Sequence, residues 1–508
     1  MSSKKSGVIL GYIAMAVTNI SSFFLTPLML MVFGTSEFGV YKLVLTFTSY
    51  FALADLGLSN AIVRYVSEYR ANNDKDSEGK FVGLVTLIDL LMGALLFIAG
   101  LFFYYYIPQI FQSSFSQKEI ELLKSLFFLV VISGILTLFV NLAGGILKSY
   151  ERFSVLKTMN IAKTLVRIGL ITGLLLLDFK PFEIVLVDTV LMILVFAYSW
   201  YYCAKELNVK PVFSNLDSDY SKKILSYSLI VFVDAIAFHF FWAADTFIIG
   251  IYISSAAIAI YSIGTLLSSL FFAFSIVISD VLMPDVVKQV ALGTDDSELT
   301  AHMIKIGRIK FIVLALPTLG FIFLGKQFIN LWVGKDFAEA YLVAILILVP
   351  QMIAALADVG LYVMWAKSKH KVKSFVSLGI CIMNIFLTIV LVQKYGIIGA
   401  AISTCLAYVA GYLIFNSIYF HKVLNLDMIR FVKQTFHKMW FGFSVAIIGG
   451  FLISFYTATN WFLLGIQSIG ITVIYGFSLW FSGFNYYEKQ LVIVPLKKML
   501  SPFKKQQK

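Results

Sequence analysis

The sequence predicts an all-α polytopic membrane protein with about fourteen spanning helices. Three observations predict it. The 508 residues are 60% hydrophobic and only 13% charged, too apolar for a soluble fold of this length. Phe contributes 48 residues and Tyr 26, a supply that suits lipid-facing helix walls and aromatic belts. Finally, apolar stretches of the length that crosses ~30 Å of hydrocarbon, about 20 residues, recur along the whole chain. They fall at 7–33, 39–62, 81–107, 120–147, 154–177, 182–203, 224–250, 255–283, 304–325, 337–366, 372–393, 396–420, 438–456 and 461–484.

Charge tests the order of these spans independently. An even number places both termini on one side, and the rule that Lys and Arg stay cytoplasmic names that side. With cytoplasmic termini, the inner segments hold 31 of the 40 basic residues. Lys118, Lys180, Lys326, Lys335 and Lys394 fall outside, and Lys42, Lys124, Lys163 and Arg167 fall within spans. A miscounted early span would move every later loop across the membrane and destroy this imbalance. The same count explains the net charge of +12 as topology rather than nucleic-acid binding. Met1–Phe33 has no small-residue cleavage pattern and is expected as an uncleaved first helix.

No loop reaches beyond roughly twenty residues, so no connecting segment is long enough for a soluble domain. This disfavours membrane glycan polymerases and transferases, which need sizeable outward loops. Cys203, Cys381 and Cys405 have no zinc-site spacing. The segment GFIFLGK at 320–326 superficially matches a phosphate-binding loop, but Gln327 stands where Ser or Thr is required and the segment ends a span. No cofactor or metal site is expected.

The two halves resemble one another. SEFGVYKLVLTF (36–47) matches AAIAIYSIGTLL (256–267) at an offset of 220, ILKSYERFSVLK (146–157) matches VMWAKSKHKVKS (363–374) at 217, and FKPFEIVL (179–186) matches GIIGAAIS (396–403) at 217. A shift of six spans preserves orientation, so the halves are parallel repeats about an axis along the membrane normal. The expected division is a six-helix bundle at 1–210, a second at 211–425, and two added helices with a basic tail at 426–508.

The stretch FGVYKLVLTFTSYFALADLGLSNAIVRYVSE (38–68) carries a further signal. Gly39 and Tyr41, the D-L-G-L of Asp55–Leu58, and Arg64, together with Tyr261, VLMPDV (281–286) and GIIGAAIS (396–403), resemble the bacterial polysaccharide flippases of the Wzx-like branch. That branch belongs to the superfamily that also contains MATE drug exporters and lipid II flippases. The resemblance implies an oligosaccharide carried on undecaprenyl pyrophosphate, moved between leaflets of the bacterial cytoplasmic membrane by alternating access and coupled to protons or sodium. It implies work beside glycosyltransferases and a polysaccharide polymerase, and no enzymatic step. A MATE-like exporter of small cations is the alternative within the superfamily.

Ionisable residues at membrane depth are costly and mark sites. Lys163 and Arg167 lie one turn apart on one face of span 5. That face offers a diphosphate two charge-assisted partners, unless it is closed by an ion pair with Asp89 of span 3 or Asp188 of span 6. Arg64, at the inner end of span 2, is a candidate for meeting the head group on entry. Asp234, His239 and Asp245 of span 7 are the candidate ion-coupling residues, with His titrating in the physiological range. Asp55 and Gly57 of the D-L-G-L segment, with Asp89 and Asp188, are candidates for gating or packing.

Overall fold

A computed structural model of the chain describes residues 3–213, 218–369, 371–491 and 493–494; within these, described side chains begin at Ile13 and omit 218–231, 233, 234, 280–282 and 371. The described elements are helices: α1 Ser3–Phe51, α2 Leu58–Ala71, α3 Lys75–Phe111, α4 Gln117–Ser149, α5 Phe153–Leu176, α6 Pro181–Lys205, α7 Ser218–Tyr252, α8 Ser255–Ala291 and α9 Asp296–Trp332. They continue as α10 Ala340–Ala355, α11 Val359–Ala366, α12 Lys371–Tyr408, α13 Asn416–Val423, α14 Met428–Phe436, α15 Met439–Ser454 and α16 Trp461–Ser482, with a π-helical stretch Val409–Phe415 between α12 and α13.

Ten helical stretches among the described residues are long and apolar enough to cross a bilayer, or twelve if each of two bent pairs is one crossing. Two of the ten are twice too long. Ile13–Asp55 has 43 residues and Val372–Val423 has 52, which is ~65 and ~78 Å of helix against ~30 Å of hydrocarbon. Each contains one glycine outside helical backbone space, Gly34 (φ 74°) and Gly396 (φ 61°). Gly34 sits in the outer turn expected between spans 1 and 2, and Gly396 at the expected outer start of span 12. Dividing each stretch there brings the twelve to the fourteen crossings read from sequence. The bent pairs are α10–α11 and α14–α15, each kinked by 54°; span 10 was expected to be continuous, and α14 lies in the inner segment expected before span 13.

The second crossing is also broken, which corrects the expectation of one helix over 39–62. After α1 ends, a 3₁₀ turn covers Ala52–Asp55, then Leu56 and Gly57 both adopt positive φ (48° and 76°) before α2 begins. The second of these positions favours glycine, which has no Cβ to clash there. The D-L-G-L segment is therefore a helix break. Asp55 sits at it and accepts from Ser59 N–H at 3.3 Å and Ser59 Oγ at 2.7 Å.

By proximity the chain forms two compact units, Met1–Ser262 with Lys371–Ala407, and Ile263–His370 with Tyr408–Lys508. Within lipid, apolar surface alone gives little drive for helix association, so close backbone approach and interhelical hydrogen bonds carry the packing. In the first unit, a Cβ added to Gly39 would lie 1.8 Å from the Ser255 carbonyl oxygen, so only glycine lets α1 and α8 meet there. Phe81, Val85, Leu142 and Ile146 pack with Ile62 and Val66 into a core joining α2, α3 and α4. In the second unit, Met303 and Phe311 of α9 join Val363, Phe420, Met439 and Leu479 in one core. Phe102, Tyr105, Phe477 and Phe481 are exposed, as lipid-facing residues should be.

Arg308 and Lys310 fall inside α9, both buried. The charge count had placed them in an inner loop; α9 begins at Asp296, and its first turns are amphipathic rather than apolar. Asp358 pairs with Lys310 at 2.9 Å.

Candidate functional site

Two polar constellations lie within the first unit. The first is built by α5, α6 and α1. The i, i+4 spacing of Lys163 and Arg167 places both on one side of α5, as expected. Arg167 donates from Nε to Asp188 Oδ1 at 2.5 Å and from Nη2 to Asp188 Oδ2 at 2.9 Å, and also reaches Tyr41 Oη at 3.3 Å. Of the two acids considered as its partner, packing thus selects Asp188 on the neighbouring helix. The pair is not sealed: each side chain is 25% exposed, and Arg167 Nη1 has no hydrogen bond to any described residue.

Lys163 is differently served. Its described hydrogen bond is to the Met192 thioether at 3.7 Å, a weak acceptor. It lines a groove of about 540 Å³ between α5 and α6, with Ser154, Thr158, Met159, Leu194 and Tyr198 around it. The groove has an apolar wall from α6 and a polar patch from α5. Lys42, next to Tyr41, lies within electrostatic reach of Arg167 and stacks its ammonium 5.0 Å from the Phe38 ring. Lys163 and Arg167 thus share the carboxylate of Asp188, Lys42 lies near Arg167, and the face is positive. Lys42 and Tyr41 are not among the site residues expected from sequence; their adjacency at the start of span 2 is the available signal.

The second constellation surrounds Asp245 on α7. The residue is 2% exposed, not open to outer water. Its carboxylate accepts from Tyr261 Oη at 2.6 Å, Thr404 Oγ1 at 2.5 Å and Thr388 Oγ1 at 2.8 Å. Ser403 Oγ lies 2.9 Å from Thr388 Oγ1 and donates toward Asn384 oxygens at 2.8 Å. Asn384 and Thr388 stand four residues apart on α12, on one face. That periodicity was legible, but the three hydroxyls were not recognised as a shell for Asp245. The result is one carboxylate within a cluster of neutral oxygens, the donor set of a proton or a hard cation.

The other predicted residues lie apart from these groups. Arg64 is exposed on α2, beyond the Asp55–Gly57 break, with its guanidinium 5.4 Å from the Tyr65 ring. His239 is half-buried and packs edge-to-face on Phe238 at 5.6 Å; it is not in the hydroxyl shell of Asp245. The Asp234 side chain lies outside those described. Asp89 is buried on α3 and pairs with neither Lys163 nor Arg167.

This architecture, of broken membrane helices with polar groups at membrane depth, is that of a polytopic membrane protein. Residues 5–288 match the family described as polysaccharide biosynthesis protein, and the chain belongs to that family. It is 20% identical over 439 residues to the probable low-salt glycan biosynthesis flippase Agl15 of Haloferax volcanii, covering 86% of this chain and 85% of that protein. The fold is shared with lipid II flippase MurJ in an inward closed conformation, at 17% identity and a TM-score of 0.72 over 92% of this chain and 98% of MurJ. It is shared with an inward-facing multidrug resistance MATE transporter of the MOP superfamily, at 13% identity and a TM-score of 0.61 over 78% and 94%.

Proposed function

We propose that the protein is a flippase that carries an undecaprenyl-pyrophosphate-linked oligosaccharide from the inner to the outer leaflet of a bacterial cytoplasmic membrane, for polysaccharide biosynthesis. The observation that carries this reading is Lys163, a cation at membrane depth on the wall of an open groove, with no carboxylate in hydrogen-bond contact. Such a charge needs an anionic partner, and a pyrophosphate supplies one. Arg167 keeps Nη1 for the same ligand while Asp188 and Tyr41 fix its orientation. The apolar wall beside Lys163 suits the prenyl chain next to the head group.

Alternating access uses the two six-helix repeats as moving bodies, with both termini cytoplasmic. The protein makes and breaks no covalent bond; glycosyltransferases supply its cargo and a polymerase consumes it. Asp245 couples transport to a proton or sodium gradient, since its hydroxyl shell holds either a charged or a neutralised carboxyl. A carrier of small organic cations would present acids to its cargo, and the excess of positive charge beside the groove argues for the anionic one.

Reconstituted liposomes carrying a fluorescent polyprenyl-diphosphate disaccharide test this. Wild-type protein should move the probe between leaflets, and Lys163→Glu should not, at equal protein content. Equal movement by both would overturn the assignment of Lys163, and no movement by wild type of this probe, with movement of an organic cation, would overturn the cargo.

A further inference from the structure

Four acids at membrane depth each have a donor. Asp188 has Arg167, Asp358 has Lys310, Asp245 has three hydroxyls, and Asp55 has both donors of Ser59. Asp89 is different. It sits fourteen residues beyond Lys75 on α3, roughly 21 Å of helix rise, and is 2% exposed. Its Oδ1 is buried without any hydrogen-bond partner.

Among the described side chains, its surroundings offer no compensating charge. The elements packed against α3 are α2, α4, α7 and the turn Ala52–Asp55. The turn contributes Asp55, whose charge acts on Asp89 with the same sign. Helix α4 has no ionisable residue between Lys124 and Lys148. The first on α2 is Arg64, exposed and set over Tyr65. Of the described side chains on α7, His239 faces Phe238 and Asp245 is enclosed by its hydroxyls.

An unpaired carboxylate in this setting costs several kcal/mol or more, and the like charge of Asp55 adds to that cost. Asp55 has the two donors of Ser59 and lies just before the N-terminus of α2, and Asp89 has neither. We propose that Asp89 is a proton-binding site, carrying a proton in this conformation and releasing it when the second crossing shifts at its Leu56–Gly57 break. On release the carboxyl O–H bond breaks, the proton passes to water, and the electron pair stays on the carboxylate. A metal cation is the wrong occupant, because Asp89 lacks the neutral oxygens that surround Asp245. The assignment does not depend on which molecule the protein transports.

Infrared difference spectroscopy of the full-length protein in liposomes tests it. At neutral pH wild type should show a protonated-carboxyl stretch, sensitive to deuterium exchange, that Asp89→Asn lacks and Asp245→Asn retains. Identical wild-type and Asp89→Asn spectra in that region would show Asp89 ionised and overturn the proposal. Asp55→Asn, which leaves Asp89 in place, removes the like charge and should move the titration of that band to lower pH. An unmoved midpoint would overturn the coupling between the two acids.

Discussion

Lys163 and Arg167 on α5 and Arg308 and Lys310 on α9 are buried or half-buried cations used in opposite ways. On α9, Arg308 spends its donors on Glu488 (2.5 and 2.9 Å) and on the carbonyls of Gln434, Thr435, His437 and Gly483 at 2.9–3.3 Å. Lys310 donates to Ser279 at 2.6 Å, the Ala355 carbonyl at 2.8 Å and Asp358 at 2.9 Å, and lies 3.4 Å from Ser275. Nothing is left over for a ligand. On α5, Arg167 keeps Nη1 and Lys163 keeps nearly all its capacity beside a groove. Charge at membrane depth is thus not enough to define a site. Residual hydrogen-bonding capacity, facing open space, separates a binding cation from a structural one.

Breaking each pair should show the difference. Arg308→Ala should have the largest effect on stability, about 3–5 kcal/mol, because it strands Glu488 and four peptide carbonyls, three of them at the α14–α15 kink. Thermal unfolding in detergent would measure it, and a shift no larger than that of a surface substitution would remove Arg308 as the tie between α9 and the last two crossings. Lys163→Glu should leave thermal stability nearly unchanged and abolish transport. A transporting Lys163→Glu protein would erase the contrast between the two helices.

Arg167→Ala should lose both, since it leaves Asp188 unpaired. In the double variant Arg167→Ala with Asp188→Ala, stability should return while transport does not, which separates positioning from binding. Smaller still, replacing Lys310 and Asp358 together by Met and Leu should be neutral or stabilising, as for other buried pairs exchanged for apolar side chains. A loss of transport in that stable double variant would instead give the α9 pair a functional role. The smallest expected effect is that of Tyr41→Phe, about 0.5–1.5 kcal/mol from one lost hydrogen bond, with transport reduced but present.

Hydropathy and loop charge made the fold legible, because the bilayer constrains length and polarity at every crossing. The face of Lys163 and Arg167 was legible from helical spacing. Its partner was not: Asp89 and Asp188 are equivalent until packing brings α6 beside α5. Asp245 could be placed on its helix but not within its shell, because Tyr261, Thr388 and Thr404 come from two other helices. The Asp55–Gly57 break was hidden because positive φ at Leu56 has no compositional signature, although Gly57 permitted it. Lys310 was misplaced because a buried lysine reads in sequence as a loop lysine; only the serines and carbonyl around it reveal its depth.

The most direct test is the affinity of purified protein for a polyprenyl diphosphate without sugar, measured by native mass spectrometry for wild type, Lys163→Gln and Lys305→Gln. Loss of one charge-assisted contact should weaken binding by about ten-fold or more in Lys163→Gln. Lys305→Gln should match wild type, since Lys305 sits on α9 against the Tyr487 ring at 4.1 Å. Equal affinity in all three proteins would contradict the claim that the α5 face receives the anionic head group.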